Sequence, residues 1–443
     1  MNEQVNIAIQ ERISGSDRQE TTIALDTPAK QRRVLLLTGG YPPEKGGSYN
    51  FFYKTIEHLS HRFTVLTSHF PGDTKYDPKC PYIIKRSLFL TLPLIRDERI
   101  DRLYPKLGRA KKAFLKIFER SRPIRALVSA LAILRCLIEI SIGKYDLIFC
   151  GHSCLPLGLV GPLAKKLFHI EYVTFVYGEE ISEILHRGHP MALKLLKYVC
   201  NKAGTVVVIS ESTGQSLNAI GIGNRKLTLA RPGVDVDKFK PISDGNRFLQ
   251  TLAPNGEKLL LSVGRIIERK GFDVVIESLP EIIKRVGAVK YVIAGSGPDR
   301  KRLETKTRNL GLESSVIFLE GITDEGLPML YNACDIFVMP NRKGRIAGDT
   351  EGFGIVFLEA SACGKPVLAG RSGGAVEAVV DGVTGFVVDP ESSIELTDKI
   401  TYLLTYPETS KRMGMNGINR CRQHFTWQHT SEILNQVIAQ SSR

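Results

Sequence analysis

Residues 335–359 begin with Asp335-Ile-Phe-Val-Met-Pro340, pass through a polar stretch at 341–350, and end with Glu351-Gly-Phe-Gly-Ile-Val-Phe-Leu-Glu359. The first piece has the continuous apolar character of a strand buried on both faces. The last opens with a Gly-x-Gly turn and runs on as an apolar helix. Strand, loop, glycine turn and helix is the order of an α/β unit. It puts the turn at the carboxyl end of a strand, where ligands of such sheets sit. Gly352 and Gly354 let the backbone approach a ligand, and the helix that follows presents free N–H groups and the positive end of its dipole. The turn is suited to an anion. If 352–359 is helical, Glu351 and Glu359 are separated by roughly 12 Å along its axis. A retaining glycosidase needs its two carboxylates about 5–5.5 Å apart, so these acids are expected to serve different parts of one extended ligand.

The same alternation runs outward in both directions. Buried-strand candidates at 34–38, 63–67, 147–150, 172–176, 205–209 and 227–230 precede a stretch rich in Pro and Gly. Others at 259–263, 289–294, 316–319, 336–339, 366–369 and 386–388 follow it. Apolar strands alternating with helical segments predict two doubly wound parallel sheets, and 443 residues suffice for two separate cores. The expected division is a disordered N-terminal extension over 1–30, a Rossmann-like domain over 31–232 and a linker over 233–257. A second Rossmann-like domain over 258–415 and a helical tail over 416–443 complete it.

The formal net charge of +14 is unevenly spread: residues 31–240 hold 33 Lys and Arg against 17 Asp and Glu, whereas 241–443 hold 24 of each. The N-terminal half is therefore expected to meet something acidic. Its densest part, 96–125, carries eleven Lys and Arg and leads into an apolar stretch over 126–142 whose charged residues are Arg135 and Glu139. That pattern suits attachment to an anionic membrane surface through residues 96–142. It equally suits a solvated helix packed on its own domain. No helix-turn-helix, zinc finger or aromatic-basic motif accompanies the charge, which argues against nucleic acid. No 18 apolar residues run uninterrupted, so no spanning helix is expected. The eight cysteines are scattered without a Cys-x-x-Cys pair, as suits reduced, buried thiols of a cytoplasmic protein.

The second half opens with Ser262-Val-Gly264-Arg265-Ile-Ile-Glu-Arg269-Lys270-Gly271. A strand ending at Gly264 and a helix starting near Gly271 put Arg265 and Lys270 in the first strand–helix loop, the usual phosphate position. Two cations opposite the 351–354 turn would grip a diphosphate from both sides. Gly295-Ser-Gly297 lacks the third glycine of a dinucleotide fingerprint, because Arg300 stands there, which argues against a dehydrogenase. Asp235-Val-Asp237 reads as a turn. No His, Cys and Asp cluster has metal-ligand spacing, so neither metal nor cofactor is expected.

In chain order, Gly264-Arg265…Lys270-Gly271, Ala294-Gly-Ser-Gly297, Glu351-Gly-Phe-Gly…Glu359-Ala, Gly364-Lys-Pro-Val367 and Gly373-Gly374…Asp381-Gly-Val-Thr-Gly385 resemble the motifs of retaining glycosyltransferases of family 4. Pro232-Gly-Val-Asp235 resembles the interdomain motif of that family. The resemblance covers residues 33–435, and Glu351–Glu359 is especially similar to the phosphatidylinositol mannosyltransferase-like branch. It implies the GT-B fold, α/β with two doubly wound Rossmann-like domains facing across a cleft. The first would bind the acceptor and the second the nucleotide sugar. It also implies metal-independent transfer of a hexose from a GDP- or UDP-linked donor to a hydroxyl of a lipid-linked or polysaccharide-precursor acceptor.

By the same resemblance, Arg265 and Lys270 would neutralise the diphosphate, and Glu351 would hold hydroxyls of the transferred sugar. Gly352, Phe353 and Gly354 would bring the backbone to phosphate, and Glu359 would take the ribose hydroxyls. Gly46 and Gly47 would approach donor and acceptor from the first domain. Many members carry His after the strand matching 172–176; here Tyr177, Gly178 and Glu179 follow it. Tyr177 is able to donate a hydrogen bond, but with a pKa of about 10 it is a poor base near pH 7. His152 reads as an ordinary loop residue. A nucleotide-sugar epimerase of similar architecture and a non-catalytic binding protein are the rival readings. The expected location is cytoplasmic, peripheral on the inner face of the membrane.

Overall fold

The computed structural model describes residues 31–43, 47–91, 121–154, 156–186, 188–242, 251–344 and 350–441. The extension over 1–30, Gly46 and most of the basic segment at 96–125 lie outside the described residues. The apolar runs become strands because both faces of a parallel sheet are covered by helices. One sheet contains β1 (Arg33–Leu37), β2 (Arg62–Thr67), β3 (Ile83–Arg86), β4 (Leu147–Cys150), β5 (Tyr172–Val176), β6 (Thr205–Val208) and β7 (Leu227–Leu229), in the order β3-β2-β1-β4-β5-β6-β7. The other contains β8 (Lys258–Val263), β9 (Val289–Ala294), β10 (Val316–Leu319), β11 (Ile336–Met339), β12 (Val367–Gly370) and β13 (Gly385–Val388), in the order β10-β9-β8-β11-β12-β13. All pairings are parallel. The winding reverses between β1 and β4 in one sheet and between β8 and β11 in the other, so each sheet opens a crevice at the carboxyl ends of those strands.

The amino ends of these paired strands are fastened by the same device in both sheets. Asp146, just before β4, accepts the Arg33 N–H at 2.8 Å and returns its own N–H to the Arg33 carbonyl at 2.8 Å. Asp335, just before β11, accepts the Leu259 N–H at 2.7 Å and donates to the Leu259 carbonyl at 2.8 Å. Each carboxylate satisfies a donor that the neighbouring strand starts too late to pair. Strand β3 has no counterpart among the expected strands. It is an edge strand, Ile-Ile-Lys-Arg, paired only with β2 and partly exposed, so no continuous apolar run announces it.

The chain divides into two units, an N-terminal one reaching Ala230 and a C-terminal one over Arg231–His429, with residues from Thr430 onward returning to the first. Residues 416–424 belong to the helix Pro407–His424, while the helix Trp427–Gln440 donates Ser431 Oγ to the Thr55 carbonyl at 3.0 Å. Val234 bridges to Thr426 and donates its N–H to the Phe425 carbonyl at 2.7 Å. The start of the expected linker is therefore tied down.

The apolar stretch at 126–142 lies in the helix Arg122–Gly143. Contrary to the expectation from uninterrupted runs, Pro123–Gly143 is long and apolar enough by composition to cross a bilayer. One face of it is packed on the N-terminal unit, with 28% of the apolar window buried. Val128, Ala132, Cys136 and Ile140 are buried in the N-terminal unit. Glu139 accepts from Lys85 Nζ at 2.6 Å, Tyr145 OH at 2.8 Å and Arg135 at 3.2 Å. A helix pinned by a buried charge to strand β3 is a surface helix of that unit.

The loops after β8 and β9 approach most closely at Gly295, where φ is 152° and an added Cβ would stand 1.9 Å from the Gly264 carbonyl oxygen. Gly295→Ala is expected to cost about 2 kcal/mol or more of stability in a denaturant melt. Gly223→Ala, where a Cβ meets nothing within 4 Å, should change it by no more than about 0.5 kcal/mol.

Candidate active site

Two loops of the C-terminal unit converge on one carboxylate. Residues Glu268–Lys270 form a single 3₁₀ turn after β8, closed by Gly271 at φ 74°. A Cβ at Gly271 would lie 2.1 Å from the Pro340 carbonyl oxygen, so only glycine lets this turn rest on the end of β11. That contact brings Arg269 and Lys270 to Glu351. One oxygen of Glu351 accepts from Lys270 Nζ at 2.6 Å, from Asn341 Nδ2 at 2.7 Å and from Arg269 Nη1 at 2.9 Å. The three charged side chains are only 10–12% exposed. Burial pushes the Glu351 carboxyl up, but Lys270 and Arg269 outweigh it and hold its pKa at about 2. It is a permanent carboxylate at neutral pH, an acceptor with lone pairs to spare for hydroxyl groups.

The glycine turn follows directly. Gly374 donates its N–H to the Glu351 carbonyl at 2.9 Å, Phe353 is buried against the Phe425 ring, and Gly354 caps the helix Ile355–Ala362 at φ 87°. That helix carries Glu359, which accepts from Tyr331 OH at 2.7 Å. Burial raises the Glu359 carboxyl to about 7, opposed by the Tyr331 hydrogen bond and by Lys238. The two acids thus differ in kind: one is fixed as an anion, the other titrates near neutrality. Arg265 is exposed in the loop after β8.

In the N-terminal unit, Gly47 opens the helix Gly47–Ile56, whose Phe51 and Phe52 rings pack edge-on to Tyr177. Tyr177 and Gly178 follow β5, and the helix Glu179–His186 begins at once. Its phase exposes Glu179 and turns Glu180 inward, where Glu180 accepts the Tyr177 N–H at 3.0 Å. Burial raises the Glu180 carboxyl to about 7, lowers the His152 imidazole to about 4, and carries the Tyr177 phenol well above its ordinary 10.0. The His152 and Tyr177 rings lie 6.1 Å apart. The Tyr177 hydroxyl is buried without a hydrogen-bond partner among the described residues. A cavity of about 230 Å³ adjoins this group, lined by Ser153, Cys154, Glu180 and Glu183 against Ile184 and Leu196.

The expected residues thus fall into two groups. Lys270, Glu351, Gly352, Phe353 and Gly354 come together, with Glu359 on the helix that the turn starts and Arg265 in the loop that supplies Lys270. Gly47, Tyr177, Gly178 and Glu179 belong to the other unit, and Gly46 lies outside the described residues. Three residues were not anticipated. Arg269 stands inside the motif, where only Arg265 and Lys270 were given a role. Asn341, fully buried, is the polar residue that immediately follows strand β11 and Pro340, which was a usable signal. Glu180 is distinguished from Glu179 only by helix phase.

The fold and its likenesses together show a nucleotide-sugar glycosyltransferase of the GT-B class. Residues 46–238 match the family model described as Glycosyltransferase Family 4, and residues 246–420 match that described as Glycosyl transferases group 1. The chain belongs to glycosyltransferase family 4. It is 29% identical over 415 residues to the GDP-mannose-dependent alpha-(1-6)-phosphatidylinositol monomannoside mannosyltransferase of Mycolicibacterium smegmatis, covering 92% of this chain and 98% of that one. It is 30% identical over 310 residues to the D-inositol 3-phosphate glycosyltransferase of Corynebacterium diphtheriae, covering 66% and 70% of the two chains. A crystal structure of Anabaena HepE in complex with UDP and glucose shares the fold, with a TM-score of 0.70 over 93% of this chain and 100% of that one at 19% identity. These likenesses set the epimerase and the non-catalytic readings aside.

The Glu351 carboxyl ionises near 2 in the folded chain against an ordinary 4.5. Its depressed value makes its contribution complete above about pH 4.5 and lost as pH falls through about 2. Glu351→Gln is expected to lower stability by about 2–4 kcal/mol at neutral pH. Denaturant melts of the two proteins across pH should show that gap closing with acid, and a gap independent of pH would contradict the pairing.

Proposed function

We propose that this glycosyltransferase moves a hexosyl group, with retention of configuration and without a bound metal, from a GDP- or UDP-linked donor to a hydroxyl of a lipid-linked or polysaccharide-precursor acceptor. The observation that carries the reading is the buried Glu351 carboxylate, held by Lys270, Arg269 and Asn341 immediately before the glycine turn. Two cationic side chains stand there beside a helix N-terminus, an arrangement that suits a diphosphate. Lys270 and Arg265 meet the diphosphate, the backbone of 352–354 completes its cradle, and Arg269 and Asn341 keep Glu351 oriented toward hydroxyls of the sugar. Glu359 takes the ribose hydroxyls.

Transfer begins with cleavage of the bond between the anomeric carbon and the diphosphate oxygen, whose electron pair leaves with the diphosphate. The cationic side chains stabilise the charge that collects there. The acceptor hydroxyl attacks the oxocarbenium-like carbon from the same face and passes its proton to the departing phosphate oxygen. In the N-terminal unit, the Tyr177 hydroxyl serves as a hydrogen-bond donor, because burial removes it further from any role as a base. The relative in Mycolicibacterium smegmatis, matched over 98% of its length, is named for GDP-mannose and a phosphatidylinositol monomannoside. This supports GDP-mannose as the donor and a glycosylated phospholipid as the acceptor, with the protein working peripherally at the inner face of a membrane.

Thermal shift with GDP, UDP and ADP should show stabilisation by GDP first; saturation at about 100 times Kd corresponds to about 2.7 kcal/mol. No shift with any of the three would remove the donor assignment. Arg265→Ala and Lys270→Ala should each lower turnover by about 100-fold or more, and near-normal turnover in both would exclude the diphosphate role. Nucleotide affinity should rise as pH passes through about 7 and the Glu359 carboxyl ionises, and Glu359→Gln should flatten that rise.

A further inference from the structure

The helix Arg122–Gly143 leaves one face uncovered. Ile124, Leu127, Leu134, Ile138 and Ile142 are 38%, 60%, 52%, 45% and 71% exposed. Steps of three, seven, four and four residues put them on a single stripe, opposite the buried Val128, Ala132, Cys136 and Ile140. The apolar surface continues onto neighbouring elements. The short helix Leu88–Thr91 packs beside this one and exposes Leu88 and Phe89, and edge strand β3, joined to it through Lys85 and Glu139, exposes Ile83. Single exposed aliphatic residues are ordinary. Eight of them on three adjoining elements form a patch of the kind that marks an interaction surface.

The position of this patch in the chain indicates what covers it. The chain leaves it at Thr91 and returns to it at Ser121, and the sequence tethered between those points is where positive charge concentrates. Residues 92–120 hold nine Lys and Arg against four acids, Asp97, Glu98, Asp101 and Glu119. An apolar helix face whose flanking sequence is a net polycation is complementary to an anionic bilayer surface, where the helix lies in the interface plane and each nearby cation contributes about 1 kcal/mol. A second copy seated on the same face would bring two such polycations together, and like charges oppose that.

We infer that Ile83, Leu88, Phe89 and the exposed stripe of Arg122–Gly143 form the docking surface by which the N-terminal unit enters an anionic lipid leaflet. This deepens the lipid-acceptor reading and rests on it for its biological purpose, although the surface itself is read from packing and charge.

The test is co-sedimentation of the full chain with phosphatidylglycerol–phosphatidylcholine vesicles and with pure phosphatidylcholine, at about 0.1 M and about 0.5 M salt. The wild-type chain should bind the anionic vesicles and weaken at high salt. The Leu134→Gln/Ile138→Gln double variant should bind about tenfold or more less tightly. Ile394→Gln, a 75% exposed site on the other unit, should bind like wild type. GDP-induced thermal shift measured on the same samples shows that each variant is folded and tests the donor reading separately. Failure of the wild-type chain to bind anionic vesicles, or equal binding by the double variant, overturns the surface while a GDP shift leaves the transferase reading standing. A vesicle-free dimer that the double substitution splits would assign the face to a second copy and overturn the lipid assignment.

Discussion

A carboxylate this deeply buried persists as an anion only if it is paired, and Glu351 is paired twice over. Taking its charge from water costs several kcal/mol, offset here by Lys270, Arg269 and the Asn341 amide on one oxygen. The two cationic side chains thereby stand immediately before the Gly352–Gly354 turn. The helix that begins at Ile355 adds its dipole. On the proposed reading, this turn receives the diphosphate and Glu351 accepts from sugar hydroxyls at its edge.

The N-terminal unit is built from the same winding and carries different chemistry. Both sheets reverse at their first strand, and both clip the amino end of that strand with an aspartate, Asp146 in one and Asp335 in the other. At the carboxyl ends they diverge. The C-terminal unit gathers fixed charges, whereas the N-terminal unit gathers aromatic rings and groups whose charge burial suppresses: His152, Tyr177 and Glu180.

The doubly wound architecture was readable in the sequence because a strand covered on both faces, such as Leu259–Val263 or Ile336–Met339, must be a continuous apolar run. Strand β3 escaped for the same physical reason, since an edge strand with Lys85 and Arg86 has only one neighbour and partial cover. The ordered motifs, among them the glycine turn and its two glutamates, carried the family. The partners of Glu351 were not. Arg269 lies 82 residues from it in sequence, and Lys270, read as a free cation for phosphate, is already engaged with the acid. Local spacing cannot report a contact that exists only because Gly271 lets one loop rest on the end of another strand.

That Lys270 serves both Glu351 and a diphosphate is best tested by calorimetric titration of GDP and GMP into the wild-type chain and into Lys270→Ala. The arrangement described here predicts that wild type prefers the diphosphate by a wide margin and that the substitution removes most of that preference while GMP binding changes little. An undiminished preference for GDP in Lys270→Ala would contradict it.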